Sequence, residues 1–150
     1  NTTGLYNYFS GSQAGQSNTT GGYNYFSGHQ AGFLNTTGQF NTFLGHFTGG
    51  NNTNAIHNTF LGYGVGYNTT TGGDNVFVGW NTGSTNGTGS QNVIIGSGAD
   101  VTGAGFTNAI AIGYNASVNA NNKIRFIWKV VFITLILAFN SLFSIFACYS

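Results

Sequence analysis

Glutamate, proline and methionine are missing from this 150-residue sequence, cysteine occurs once, and only 3% of the residues are charged. Each shortage removes a class of function. Three Lys/Arg in all cannot neutralise the several phosphates that a nucleic-acid binder of the usual kind contacts. The lone Cys148 excludes an intramolecular disulfide framework and any CxxC metal site. Two isolated carboxylates, Asp74 and Asp100, do not supply the paired acids of a glycosidase, and no phosphate-loop Gly-Lys-Ser/Thr follows any glycine. Charge repulsion cannot hold the chain disordered. An ordinary soluble domain carries about a quarter charged residues, so this composition lies far from one, although the length allows one domain with a real core. The few charges are also segregated. Asp74 and Asp100 are the only Asp, Glu, Lys or Arg before Lys123, and Arg125 and Lys129 follow it closely.

What fills the space is a repeat. Glycine recurs at Gly11, Gly28, Gly45, Gly62, Gly79, Gly96 and Gly113, every 17 residues over seven copies without a slip. Each closes a short block such as Asn7-Tyr8-Phe9-Ser10, Asn41-Thr42-Phe43-Leu44 or Asn92-Val93-Ile94-Ile95. A second glycine follows four places later at Gly15, Gly32, Gly49, Gly66 and Gly83, and a polar stretch of the type Asn18-Thr19-Thr20-Gly21 completes the unit. Aromatic and β-branched residues bounded by Gly and Asn read as a strand with a turn at each end. The period therefore predicts an all-β fold, a parallel β-roll or β-solenoid of seven 17-residue coils, each with two short strands and two turns.

Stacked coils turn equivalent residues into ladders about 4.8 Å apart. Phe9, Phe26, Phe43, Phe60, Phe77 and Ile94 form the expected core ladder, the seven period glycines are its structural turns, and Asn7, Asn24, Asn41, Asn58, Asn75 and Asn92 form a hydrogen-bonded one. The scarcity of charge follows, since like charges at that spacing repel. In copies three to six both strand faces are apolar. One fills the interior, and the other needs a partner, which predicts a homo-oligomer.

Two regions are expected: a repeat domain over 1–122, and a basic hinge with an apolar tail over 123–150. The run 130–148 has the length of a bilayer-spanning helix; a buried assembly plug, an extra strand or a truncated continuation are the other readings. The positive flank before it favours a cytoplasmic location for that flank, against an exported repeat domain. The chain opens at a repeat boundary with neither methionine nor signal peptide, as expected of a processed product or a piece of a longer array.

The pattern Asn-Thr-Thr-Gly, Asn-x-Phe-Leu-Gly, Ala-Gly resembles repeats of bacterial surface proteins and phage tail fibres. The last copy, Asn108-Ala109-Ile110-Ala111-Ile112-Gly113-Tyr114-Asn115-Ala116, resembles the head repeat of trimeric autotransporter adhesins of the YadA type. Over roughly residues 1–125 the resemblance implies a trimer of left-handed parallel β-rolls, extracellular, at a cell surface or on a virion fibre, with an adhesive or spacer role. The expected function is thus structural and adhesive, without catalysis or cofactor, with a glycan or host-surface protein as partner. A self-assembling filament with a buried tail is the alternative, and an ice-binding solenoid built on the Thr2-Thr3, Thr19-Thr20 and Thr36-Thr37 pairs ranks below both.

Four sets of side chains are candidate sites. His29 and His46 share a ladder position and, in a symmetric trimer, are weak candidates for a metal or anion site. His57 and Asp74 are likewise neighbours on one ladder. Asn1, Asn18, Asn35, Asn51, Asn68, Asn86 and Asn115 begin Asn-x-Thr/Ser sequons and are candidate glycosylation sites. The threonine pairs are the fourth set.

Overall fold

Three residues make a usable strand when the middle one is a large apolar side chain pointing inward and its neighbours point out. The structure, a computed structural model, describes residues 1–127. It places such strands at β1 (Tyr8–Ser10), β2 (Tyr25–Ser27), β3 (Thr42–Leu44), β4 (Thr59–Tyr63), β5 (Val76–Trp80), β6 (Val93–Ile95), β7 (Asp100–Val101), β8 (Ile110–Ile112), β9 (Ser117–Val118) and β10 (Ile124–Phe126). Eight of them form one parallel sheet in the order β1-β2-β3-β4-β5-β6-β8-β10. Phe26 lies beside Phe43, Phe60 beside Phe77, and Ile94 beside Ala111, so the register repeats residue for residue from coil to coil. Consecutive Phe rings stack with centroids 4.8 to 5.1 Å apart, the rise of a β-solenoid.

The interior is as expected. Phe26, Phe43, Phe60, Phe77 and Ile94 are fully buried, and Phe9, on the first rung, is half-buried. Beside them runs the asparagine ladder. Asn41 donates its backbone N–H to Asn24 Oδ1 (3.0 Å) and its Nδ2 to Ala55 O (2.8 Å), while its Oδ1 accepts the N–H of Asn58 (3.0 Å). The same pattern links Asn58, Asn75 and Asn92. Each bond is worth only about 1 kcal/mol net, but a buried donor left without one costs about 1–3 kcal/mol, which makes asparagine hard to replace here.

The opposite wall differs from the expectation of a second strand in every coil. In coils one to five that wall is turn, and among the described residues only β7 and β9 pair as a two-stranded sheet. Steric demand explains the difference. Gly15, Gly32, Gly49, Gly66 and Gly83 sit directly across from the Phe rings with φ of 57° to 62°, a left-handed conformation that breaks a strand. Where the core residue shrinks to Ile94 and then Ala111, Asp100 and Ser117 replace the glycine, the wall extends, and Val101 and Val118 turn inward to fill the space.

The expected boundary at 122 is also shifted. Residues 124–126 are not a hinge but the eighth rung, with Ile124, Arg125 and Phe126 in register with Ile110, Ala111 and Ile112. Arg125 thereby takes the place of the core Phe, and Lys123, whose carbonyl accepts from Ile110 N, takes that of the ladder asparagine. Both are exposed; Lys123 Nζ donates to Asn119 Oδ1 (2.7 Å) and Arg125 to Ser117 O (3.4 Å). Among the described residues the last rung of the stack is thus a charged one, as in a capping repeat. The tail segment 130–148 lies outside the described residues.

Candidate functional site

Among the described residues the outward strand face carries a run of apolar side chains. Leu44, Leu61, Val78, Ile95, Ile112 and Phe126 form one outer ladder, and Val76, Val93, Ile110 and Ile124 form another beside it. Leu44, Leu61 and Val76 are exposed by 41%, 44% and 39%, too much for side chains that would gain by leaving water. Toward the amino end the same ladders become Tyr8, Tyr25, Ser10 and Ser27.

A second ladder runs along the corner before the strands. Tyr6 stacks on Tyr23 (4.8 Å), Tyr23 on Phe40 (4.9 Å), and Phe40 lies against His57 (5.2 Å). His57 Nδ1 then faces Asp74 Oδ1 at 3.4 Å, so the expected neighbours do meet, as an exposed pair of little energetic weight. Every one of these residues holds a left-handed backbone, with φ of 56° to 59°.

His29 and His46 also meet, with ring centroids 4.7 Å apart and planes within 19°. Parallel imidazoles point their in-plane nitrogen lone pairs side by side, so within one chain the two do not converge on one ion. Among the described residues no cluster of three metal-ligating side chains is formed. Their Nδ1 atoms are buried without a hydrogen-bond partner.

The sequons divide. Asn1, Asn68 and Asn115 are exposed, and Asn51 is half-buried with its Nδ2 donating to Asn68 Oδ1 (3.0 Å). Asn18, Asn35 and Asn86 are buried, and this corrects the expectation that they are open to glycans. Each turns inward to close its own turn: Asn18 Nδ2 donates to Gly21 O (2.9 Å) and Asn86 Nδ2 to Gly89 O (3.0 Å). The first threonine of each pair is likewise spent on the wall, since Thr2, Thr19 and Thr36 donate their hydroxyls to the carbonyls of Thr19, Thr36 and Thr53, while Thr3, Thr20 and Thr37 are exposed.

The corner after the strands holds a feature that the sequence reading missed. Gln13, Gln30, Phe47, Gly64, Asn81, Gly98 and Asn115 occupy equivalent places, all with φ of 50° to 66°. At Gly64 the missing side chain opens a cleft of about 260 Å³ walled by Phe47, Tyr63, Tyr67, Asn68, Asn81 and Ser84. Phe47 stands edge-on to both tyrosines, 6.2 Å from each. Tyr67 lies over Gly50, where a Cβ would come within 2.6 Å of its ring, and Tyr63 stacks on His46 at 5.3 Å. The signal was present as a glycine between two tyrosines in one copy only.

Below the cleft, Ser84 Oγ donates to Asp100 Oδ2 (2.9 Å), and the backbone N–H groups of Thr85 (3.0 Å) and Val101 (2.8 Å) donate to the same carboxylate. Burial pushes the Asp100 carboxyl above the usual carboxylate range, outweighing these hydrogen bonds.

No family model, curated protein or solved structure matches the chain.

Proposed function

We propose that the chain is a structural and adhesive module of an extracellular or cell-surface fibre, in which three copies associate through their outward sheet faces and present their corner ladders to a glycan or a surface protein. One observation carries the reading: the apolar ladder of the exposed Leu44 and Leu61, continued by the half-buried Val78, Ile95 and Ile112, on a backbone whose polar groups are spent on its own stacking. Such a body is stiff along its axis and adhesive on its sides. Among the described residues the last rung offers Arg125 and Lys123 where Phe9 and Asn7 of a following copy would need Phe and Asn, which favours discrete particles over end-to-end stacking into a filament.

Electron microscopy of the full chain separates the two arrangements, with discrete short particles expected; long uniform filaments would overturn the trimer. Beads coated with the chain should hold to a cell surface or a glycan-bearing matrix better than beads coated with an inert protein. Equal retention would remove the adhesive role.

A further inference from the structure

We infer that the cleft at Gly64 is a binding site for a single neutral pyranose ring, a glycan residue; this deepens the surface-binding reading above and rests on it. Three features of the walls select that chemistry. Tyr63 and Tyr67 leave 48% and 38% of their surface in water, offering aromatic area to a ligand with a flat C–H face. The polar groups are all uncharged: the Asn68 and Asn81 amides and the Ser84 hydroxyl. Among the described residues the Asn81 side-chain amide makes no hydrogen bond, so it offers a donor and an acceptor together, the complement of adjacent sugar hydroxyls. An apolar occupant would bury that amide unpaired, and an anionic one would find no cation on the walls. The volume of about 260 Å³ lies below the roughly 300–1,000 Å³ of drug-sized sites, room for one ring.

The fold supplies an unusually clean variant. A Cβ at Gly64 meets only Asn81 Oδ1, at 3.7 Å, and Gln13 and Gln30 hold the equivalent backbone at φ of 61° and 56° against 61° for Gly64. Gly64→Gln therefore fills the cleft with a residue the solenoid already carries at that place.

The test uses the full chain, produced without glycosylation because a glycan on Asn68 would cover the cleft. Methyl glycosides of glucose, galactose, mannose and N-acetylglucosamine serve as probes in saturation-transfer NMR, beside phenol as an apolar probe. At least one glycoside should receive saturation on the C–H protons of one ring face. Its affinity should fall about tenfold or more in Gly64→Gln and weaken in Asn81→Ala, with circular dichroism unchanged in both and the melting of Gly64→Gln lowered only by the cost of a side chain at φ of 61°. No saturable glycoside, equal affinity in Gly64→Gln, or binding of phenol alone overturns the proposal. Bead attachment of wild type and Gly64→Gln, measured in parallel, separates the two readings. Beads that adhere while no glycoside binds remove the cleft and leave adhesion; glycoside binding with no adhesion sustains the cleft and removes the adhesive role.

Discussion

Phe43 and Gly49 are bound to each other across the interior: a Cβ on Gly49 would lie 2.5 Å from Phe43 Cε2. The same pair recurs as Phe9 with Gly15, at 2.7 Å, and the large ring permits only glycine opposite it. Gly49→Ala adds an overpacked core to a strained φ of 59° and should cost about 2–4 kcal/mol by chemical denaturation. Adding Phe43→Ile should return part of that, because Ile94 already faces a residue with a side chain, Asp100; a coupling energy of about 1 kcal/mol or more is expected from the double-mutant cycle.

Removing one rung of the asparagine ladder should be felt on both sides. Asn58 Oδ1 accepts Asn75 N (3.0 Å) and its Nδ2 donates to Gly72 O (2.8 Å), so Asn58→Ala strands a buried donor and a buried acceptor. A loss of about 2–5 kcal/mol in unfolding free energy is expected. Thr59→Ser, one residue along on the exposed strand face, should lie within about 0.5 kcal/mol of wild type.

Asp100 should give the fold an unusual pH dependence. Its carboxyl is raised by burial in the folded chain, so its contribution to stability is full below the ordinary carboxylate range and is lost as pH rises through the raised folded value. Asp100→Asn keeps an acceptor for Thr85 and Val101 without the charge. Melting temperatures measured from acid to neutral pH should fall less for Asp100→Asn than for wild type; parallel curves would contradict the assignment.

The charged eighth rung should act as a stop. Lys123→Asn with Arg125→Phe rebuilds the ladder residues at that end and should promote end-to-end association, visible as growing species by light scattering. Wild-type chain under the same conditions should keep one size.

Much of this architecture is legible in the residues, because a ladder is a sequence property before it is a structural one. A glycine every 17 residues fixes which side chains stack, and from that the Phe core, the asparagine ladder, and the meetings of His29 with His46 and His57 with Asp74 follow by arithmetic. The misses come from direction, which spacing does not encode. Asn18, Asn35 and Asn86 read as exposed turn asparagines, but the carbonyls of their own turns draw the amides inward. The second strand in every coil failed on the Phe–Gly contact, a distance across the interior. The place of Arg125 in the stack is not legible from the period because the coil after Ile110 is shorter, bringing the strand back after 14 residues. The cleft depends on one absent side chain beside two tyrosines from the same copy, and only coordinates reveal that nothing fills it.

Assembly through the outward sheet face is the claim on which the functional account turns, and sedimentation equilibrium of the full chain in mild detergent tests it directly. A single species at three times the 15.8 kDa chain mass is expected, reduced to one chain when Leu44, Leu61 and Val78 are each replaced by Lys. A wild-type chain that sediments as a monomer at micromolar concentration would contradict it.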